Sequence, residues 1–211
     1  MSSDDLNLDT PRTFDLFYDY LCPFVYRVSV LLENVRATGE RKVKIRWRYF
    51  SLTQVNSKDE GWTIWDAPDS DNVRGRLAFK AAEAARQQDR FDDFHARLLR
   101  RRHVDRADID DAGVIERVAD EAGIDIDRFR RDMADPASLS TLERDHRGAV
   151  AEHGVFGTPT FVFPRGAAAY VRLSDVPEVG DSVALYDRLI GIAEDEPRIL
   201  EVKRPARPSP D

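Results

Sequence analysis

Between Val43 and Leu52 the side chains alternate: Val43, Ile45, Trp47 and Tyr49 are apolar, and Lys44, Arg46 and Arg48 are charged. A period of two predicts a strand with one face in a core. The apolar run Phe14 to Tyr18 predicts another strand. Between the two, Val25, Val28, Leu32 and Val35 recur at helical spacing, and Gly39 stands where such a helix would stop. From Val73 to His153 the period is helical throughout: Val73, Leu77, Ala81 and Ala84; then Phe91, Phe94 and Leu98; then Val114, Ile115, Val118 and Ala122; then Leu139, Leu142, His146, Ala149 and Val150. These sets predict four or five helices, with Asp110 as an N-cap and the Pro136 region separating the last two. GVFGTPTFVF and Ala167 to Leu173 predict two closing strands, and a helix is expected from about Ser182 to Glu194, with Val183, Tyr186, Leu189, Ile190 and Ala193 inside.

A strand–helix–strand half, a helical block and a strand–strand–helix half imply one α/β fold, since neither half has enough apolar faces to stand alone. The expected architecture is a thioredoxin-like mixed sheet with an all-helical insertion domain. Its core comprises residues 13–55 and 154–197, its insertion 56–153, and a Pro- and charge-rich tail follows at 198–211.

Composition narrows the function classes. The chain has 211 residues and a net charge of −7, with acids and bases interspersed, so nucleic acid is a poor partner. The densest basic cluster, Arg97, Arg100, Arg101, Arg102 and His103, reads first as a solvated helix end and second as an anion site. Met1 to Thr13 has neither the basic nor the apolar region of a signal peptide, and no apolar run approaches the roughly 20 residues that cross a bilayer. No membrane partner and a reducing cytoplasmic location are expected. One cysteine and four histidines show no metal-ligand spacing, so no metal is expected.

That single cysteine, Cys22, lies in DYLCPFVY. If the strand ends near Tyr20 and Pro23 takes the first helical position, Cys22 is the N-cap, where proline's missing N–H costs nothing. The helix dipole and unpaired N–H groups there favour the thiolate, which is the nucleophile. One turn on, where a Cys-x-x-Cys motif has its second thiol, this chain has Val25. Any disulfide formed by Cys22 is then a mixed one, released by a thiol from outside. A second motif, GVFGTPTF, surrounds the Thr158–Pro159 bond with Gly154 and Gly157, which makes that bond a candidate for the cis isomer.

DYLCPFVY together with GVFGTPTFV resembles the DsbA-like branch of the thioredoxin superfamily, near cytoplasmic polyketide-oxidoreductase-type proteins, 2-hydroxychromene-2-carboxylate isomerases and kappa-class glutathione transferases. The resemblance runs from about Thr13 to Pro197. It implies that Cys22 is the active residue and that a cis-proline loop, Thr158 and Pro159, faces it and pairs with a bound thiol compound or peptide. It also implies a helical insertion, matched by Val73 to His153. Val25 departs from the dithiol oxidoreductases, and Cys22 departs from the isomerases and transferases, which usually begin the motif with serine.

Around Cys22, Asp19 is a candidate proton acceptor or turn stabiliser, and Tyr26, on the same helical face, a candidate hydrogen-bond donor. Phe24, Val25, Phe156 and Pro159 are expected to make a dry site, and Trp62 and Trp65 either wall a thiol-binding groove or anchor their loop. His146 and His153 are candidates to approach the proline loop, with a core role as the alternative.

The leading reading is a thiol–disulfide oxidoreductase exchanging through one cysteine with a low-molecular-weight thiol or a protein disulfide. The alternatives are a thiol-dependent transferase or isomerase and a non-enzymatic peptide-binding module. No tightly bound cofactor is expected; a thiol such as glutathione is the candidate co-reactant, and a homodimer is a candidate assembly.

Overall fold

The computed structural model describes residues 11–204, so the end of the expected tail, 205–211, lies outside the described residues. Strand β1 (Arg12–Tyr18) leads through a tight turn into α1 (Pro23–Thr38), which ends at Gly39 with φ 71°. Only a residue without a Cβ takes that left-handed cap without strain, and its N–H returns to Arg36 O. Strand β2 (Val43–Tyr49) then runs parallel to β1, with Leu16 opposite Trp47.

Two short strands close the sheet. β3 (Thr160–Val162) lies antiparallel to β1, and β4 (Ala168–Tyr170) antiparallel to β3, giving the order β2-β1-β3-β4. The central strand β1 buries Phe14, Leu16, Phe17 and Tyr18, as a strand covered on both faces must. The last helix, α8 (Val179–Ala193), packs on α1, where Asn34 Nδ2 donates to Ser182 Oγ at 3.0 Å.

Between β2 and β3 lie α2 (Leu52–Val55), α3 (Arg76–Arg86), α4 (Phe91–His103), α5 (Ala112–Glu121), α6 (Ile126–Ala134) and α7 (Ser140–His153). Their core is continuous with that of the sheet: Tyr18, Tyr20, Trp47 and Tyr49 pack with Phe79, Phe91, Phe94 and Leu98. The last of these helices also finishes β2, because Asp145 Oδ2 accepts from Tyr49 N at 3.3 Å and His146 Nδ1 from Ser51 N at 3.2 Å. These bonds satisfy backbone donors where the sheet stops.

Several expectations need correction. β2 ends at Tyr49 instead of Leu52, because Ser51 Oγ accepts from Gln54 N and caps α2. The cap of α5 is Asp111, whose carboxylate accepts from Gly113 and Val114 N–H, while Asp110 accepts from Gly75 N at 2.7 Å. α6 is an element that the apolar sets above omit: Ile126, Phe129 and Met133 stand at helical spacing, with Phe129 buried and the other two packed beside it on the core. α8 starts at Val179, earlier than Ser182, and that first turn is silent in the apolar pattern because Val179 is exposed. Val150, assigned to the inner face of α7, is 49% exposed. The basic end of α4 is a surface network: Arg97 pairs with Asp93, and Arg101 with Asp105 and Glu121.

Candidate active site

The turn from β1 to α1 places the sulfur. Cys22 N donates to Asp19 O at 3.1 Å, and Cys22 itself is the N-cap, with extended backbone (φ −87°, ψ 115°) and Pro23 behind it in the first turn. No side chain caps this helix end. Cys22 Sγ donates to the carbonyl oxygen of Thr158 at 3.2 Å, across 136 residues of sequence. Cys22 is 4% exposed.

The facing loop is held by its own bonds. The Thr158–Pro159 peptide is cis, Thr160 Oγ1 donates to Gly157 O at 2.7 Å, and Val171 N donates to Pro159 O at 3.1 Å. Gly157 sits against the Tyr170 ring, where a Cβ would come within 3.3 Å of a ring carbon. Thr158 is buried and its hydroxyl has no hydrogen-bond partner. The thiol and the strap opposite it therefore meet at one point.

Asp19 supports this point from beneath. It is fully buried and its two oxygens accept from Leu21 N at 2.8 Å and Leu52 N at 2.7 Å, so it fastens the Cys22 turn to the start of α2. Burial pushes its carboxyl up to about 6, against the pull of those two N–H donors. This is the turn-stabilising arrangement.

Other expected residues fall into two groups. Trp62 joins Leu21, Leu52, Thr53, Asn56, Ser57 and Arg74 in lining an open groove of about 560 Å3 that begins one residue from Cys22. Trp65 points elsewhere: its ring packs on His146 at 5.6 Å and under Arg147 at 5.1 Å, so it anchors the loop. Val25 is fully buried, and Phe24 is half-buried beneath the guanidiniums of Arg172 at 4.2 Å and Arg27 at 5.2 Å. Phe156 is 67% exposed against Tyr170, so the surface there is not dry.

Tyr26 stacks on His103 with ring centroids 5.8 Å apart and an interplanar angle of 23°. His146 is a core histidine: it stacks on Phe50 and burial depresses its pKa to about 4. His153 rests on Phe17 at 6.2 Å. The sequence reading missed Arg74, Thr53, Asn56 and, as a neighbour of the Cys22 turn, His103; none has a local motif, and each arrives through packing. Among the described residues no group of three or more His, Cys, Asp or Glu could hold a metal ion, and no helix is long and apolar enough to cross a membrane.

Comparisons with known proteins bear on the family and the fold. A family model described as DSBA-like thioredoxin domain matches residues 13–177. The uncharacterised protein Rv2286c of Mycobacterium tuberculosis is 26% identical over 202 residues, covering 93% of this chain and 84% of the relative. Among solved structures, a probable DsbA oxidoreductase from Streptomyces coelicolor superposes with a TM-score of 0.61 at 18% identity, covering 93% of each chain. The cytosolic disulfide reductase DsbM from Pseudomonas aeruginosa, solved with GSH, superposes at 0.56 with 20% identity over 84% of this chain and 98% of that one. At these identities the solved structures speak for the fold.

Proposed function

This chain belongs to the DSBA-like thioredoxin domain family, and on that premise we propose that it is a thiol–disulfide exchange enzyme working through Cys22 alone. One observation carries the reading: the only cysteine in the chain occupies the N-cap position of a helix, and its sulfur lies 3.2 Å from the Thr158 carbonyl oxygen of the Thr158–Pro159 loop.

The exchange balances without any group the chain lacks except a second thiol. Cys22 gives up its proton to solvent, and with it the bond to Thr158 O, and its thiolate attacks one sulfur of a partner disulfide RS–SR′. The Cys22–SR bond forms as RS–SR′ breaks, and R′S⁻ leaves and takes a proton from solvent. Val25 offers no second thiol inside the site, so an external thiolate R″S⁻ attacks the mixed disulfide. Its attack releases RS–SR″ and restores Cys22. The groove from Leu21 to Trp62 receives the rest of R, and its size suits a peptide-sized thiol of the glutathione type. The DsbM structure with GSH supports that choice of thiol, and a reducing cytoplasm is the compartment that would supply it. No tightly held cofactor is needed.

The test is intact mass after incubation with oxidised glutathione. A single glutathione adduct is expected on the wild type and none on Cys22→Ser, with both proteins folded. An unmodified wild-type protein would sink the exchange reading. The absence of an internal resolving thiol at Val25 also suits a thiol-dependent isomerase or transferase; that second reading gains if Cys22→Ser still binds reduced glutathione while the wild type resists the oxidised form.

A further inference from the structure

The peptide group joining Tyr20 to Leu21 is the middle of the turn that delivers Cys22. Its N–H is taken by Asp19 Oδ1 at 2.8 Å. Its C=O is taken from the opposite side: His103 Nε2 lies 2.9 Å from Tyr20 O, across 83 residues of sequence. A carbonyl oxygen can only accept, so Nε2 carries the proton and donates. Burial lowers the pKa of His103, with Arg102 and Arg27 acting in the same direction and the Tyr20 carbonyl opposing. The N–H of Nε2 is thus committed to this bond.

The same ring has a second contact on the other flank of the sulfur, because it stacks on Tyr26 in the first turn of α1. Its helix, α4, holds Tyr20 a second time, through His95 Nδ1, which lies 3.1 Å from the Tyr20 hydroxyl. Residues two before and four after Cys22 are therefore both gripped by one helix that lies outside the sheet. With both polar ends of a turn's central peptide engaged, that peptide cannot rotate without breaking a bond at one side or the other.

We propose that His103 is a positioning residue for Cys22: by locking the Tyr20–Leu21 peptide and bracing Tyr26, it holds the sulfur at the helix tip facing Thr158, so that thiol exchange depends on a residue of α4. This rests on the exchange reading above and adds a residue that does not touch the reacting sulfurs. Freed from His103, the turn populates orientations in which the thiol is misaligned, and the exchange rate falls by the fraction of time lost.

The experiment is the rate of adduct formation with oxidised glutathione for the full chain and three variants, each with its thermal midpoint. His103→Phe keeps a ring for Tyr26 and removes the donor; a neutral hydrogen bond of ordinary net strength predicts a slowing of about fivefold. His103→Gln carries an N–H at the reach of Nε2 but no ring for Tyr26; because the peptide lock is the larger of the two effects, it should recover the wild-type rate to within about twofold. His103→Leu stands in for the Phe variant if that one does not fold. A wild-type rate in the Phe or Leu variant, or equal slowing in Gln and Phe, overturns the proposal. Failure of the wild type to form any adduct overturns instead the exchange reading on which it stands.

Discussion

Replacing Asp19 by Asn isolates the cost of ionising a carboxyl sealed beneath the reactive turn. Asp19 is fully buried, and burial raises its pKa from 3.8 to about 6, with the N–H donors of Leu21 and Leu52 and the nearby charge of Arg74 opposing the rise. The folded state therefore binds this proton more tightly than the unfolded chain does. Stability contributed by Asp19 is fully present below about pH 4 and is lost as the pH rises to about 6; a shift of about two units corresponds to ~3 kcal/mol. Three histidines act in the opposite sense, His103 being lowered by burial as well as the two that follow. Burial depresses His95 to about 3 and His146 to about 4, so their contribution is present above the unfolded value of 6.5 and lost as the pH falls through that window. The raw wild-type curve mixes the two slopes, whereas the difference between wild type and Asp19→Asn cancels the histidines. Urea unfolding of both proteins from about pH 4 to about pH 7.5 measures that difference. It should move against the wild type by ~3 kcal/mol as the pH rises, most of it between about pH 4 and about pH 6. A flat difference would refute the reasoning, because it would mean that the carboxyl is solvated or that Arg74 neutralises it fully.

Two further substitutions probe the site and its scaffold. Val25→Cys places a second thiol one helical turn after Cys22; the expected result is an internal disulfide and only a transient glutathione adduct, read by intact mass and a free-thiol count, and a persistent adduct would show that the two sulfurs do not meet. Gly154→Ala forces a side chain into φ 63° at the C-cap of α7, where nothing else crowds it, so the cost should be the conformational one alone, about 1 kcal/mol by urea unfolding with an unchanged m value.

Short-range features were legible from the residues alone. Cys22 followed by Pro23 marks a helix start because proline fits only where no N–H is needed, and Gly39 marks the stop because the left-handed cap excludes a Cβ. The alternation of β2 follows from one buried face. Such signals act over a few residues, through sterics and hydrogen bonds that the chain carries wherever it folds. They blur where two neighbours offer the same chemistry: Asp110 and Asp111 are equal as letters, and only Asp111 has its carboxylate over the first turn of α5. They thin out where an element is short, as in α6, whose apolar face is Ile126, Phe129 and Met133 within nine residues.

The site's remaining parts have no local code. Trp62 and Trp65 are three residues apart in one loop, yet one lines the groove and the other stacks on His146, a difference set by how the loop lies on α7. His103 reads as one more cation at a helix end until α4 is docked and its ring reaches Tyr20 O. The residues of DYLCPFVY specify a thiol at a helix tip. What surrounds that thiol depends on contacts between segments far apart in the chain, which form only when burial of the shared apolar core outweighs the entropy of closing the loops between them.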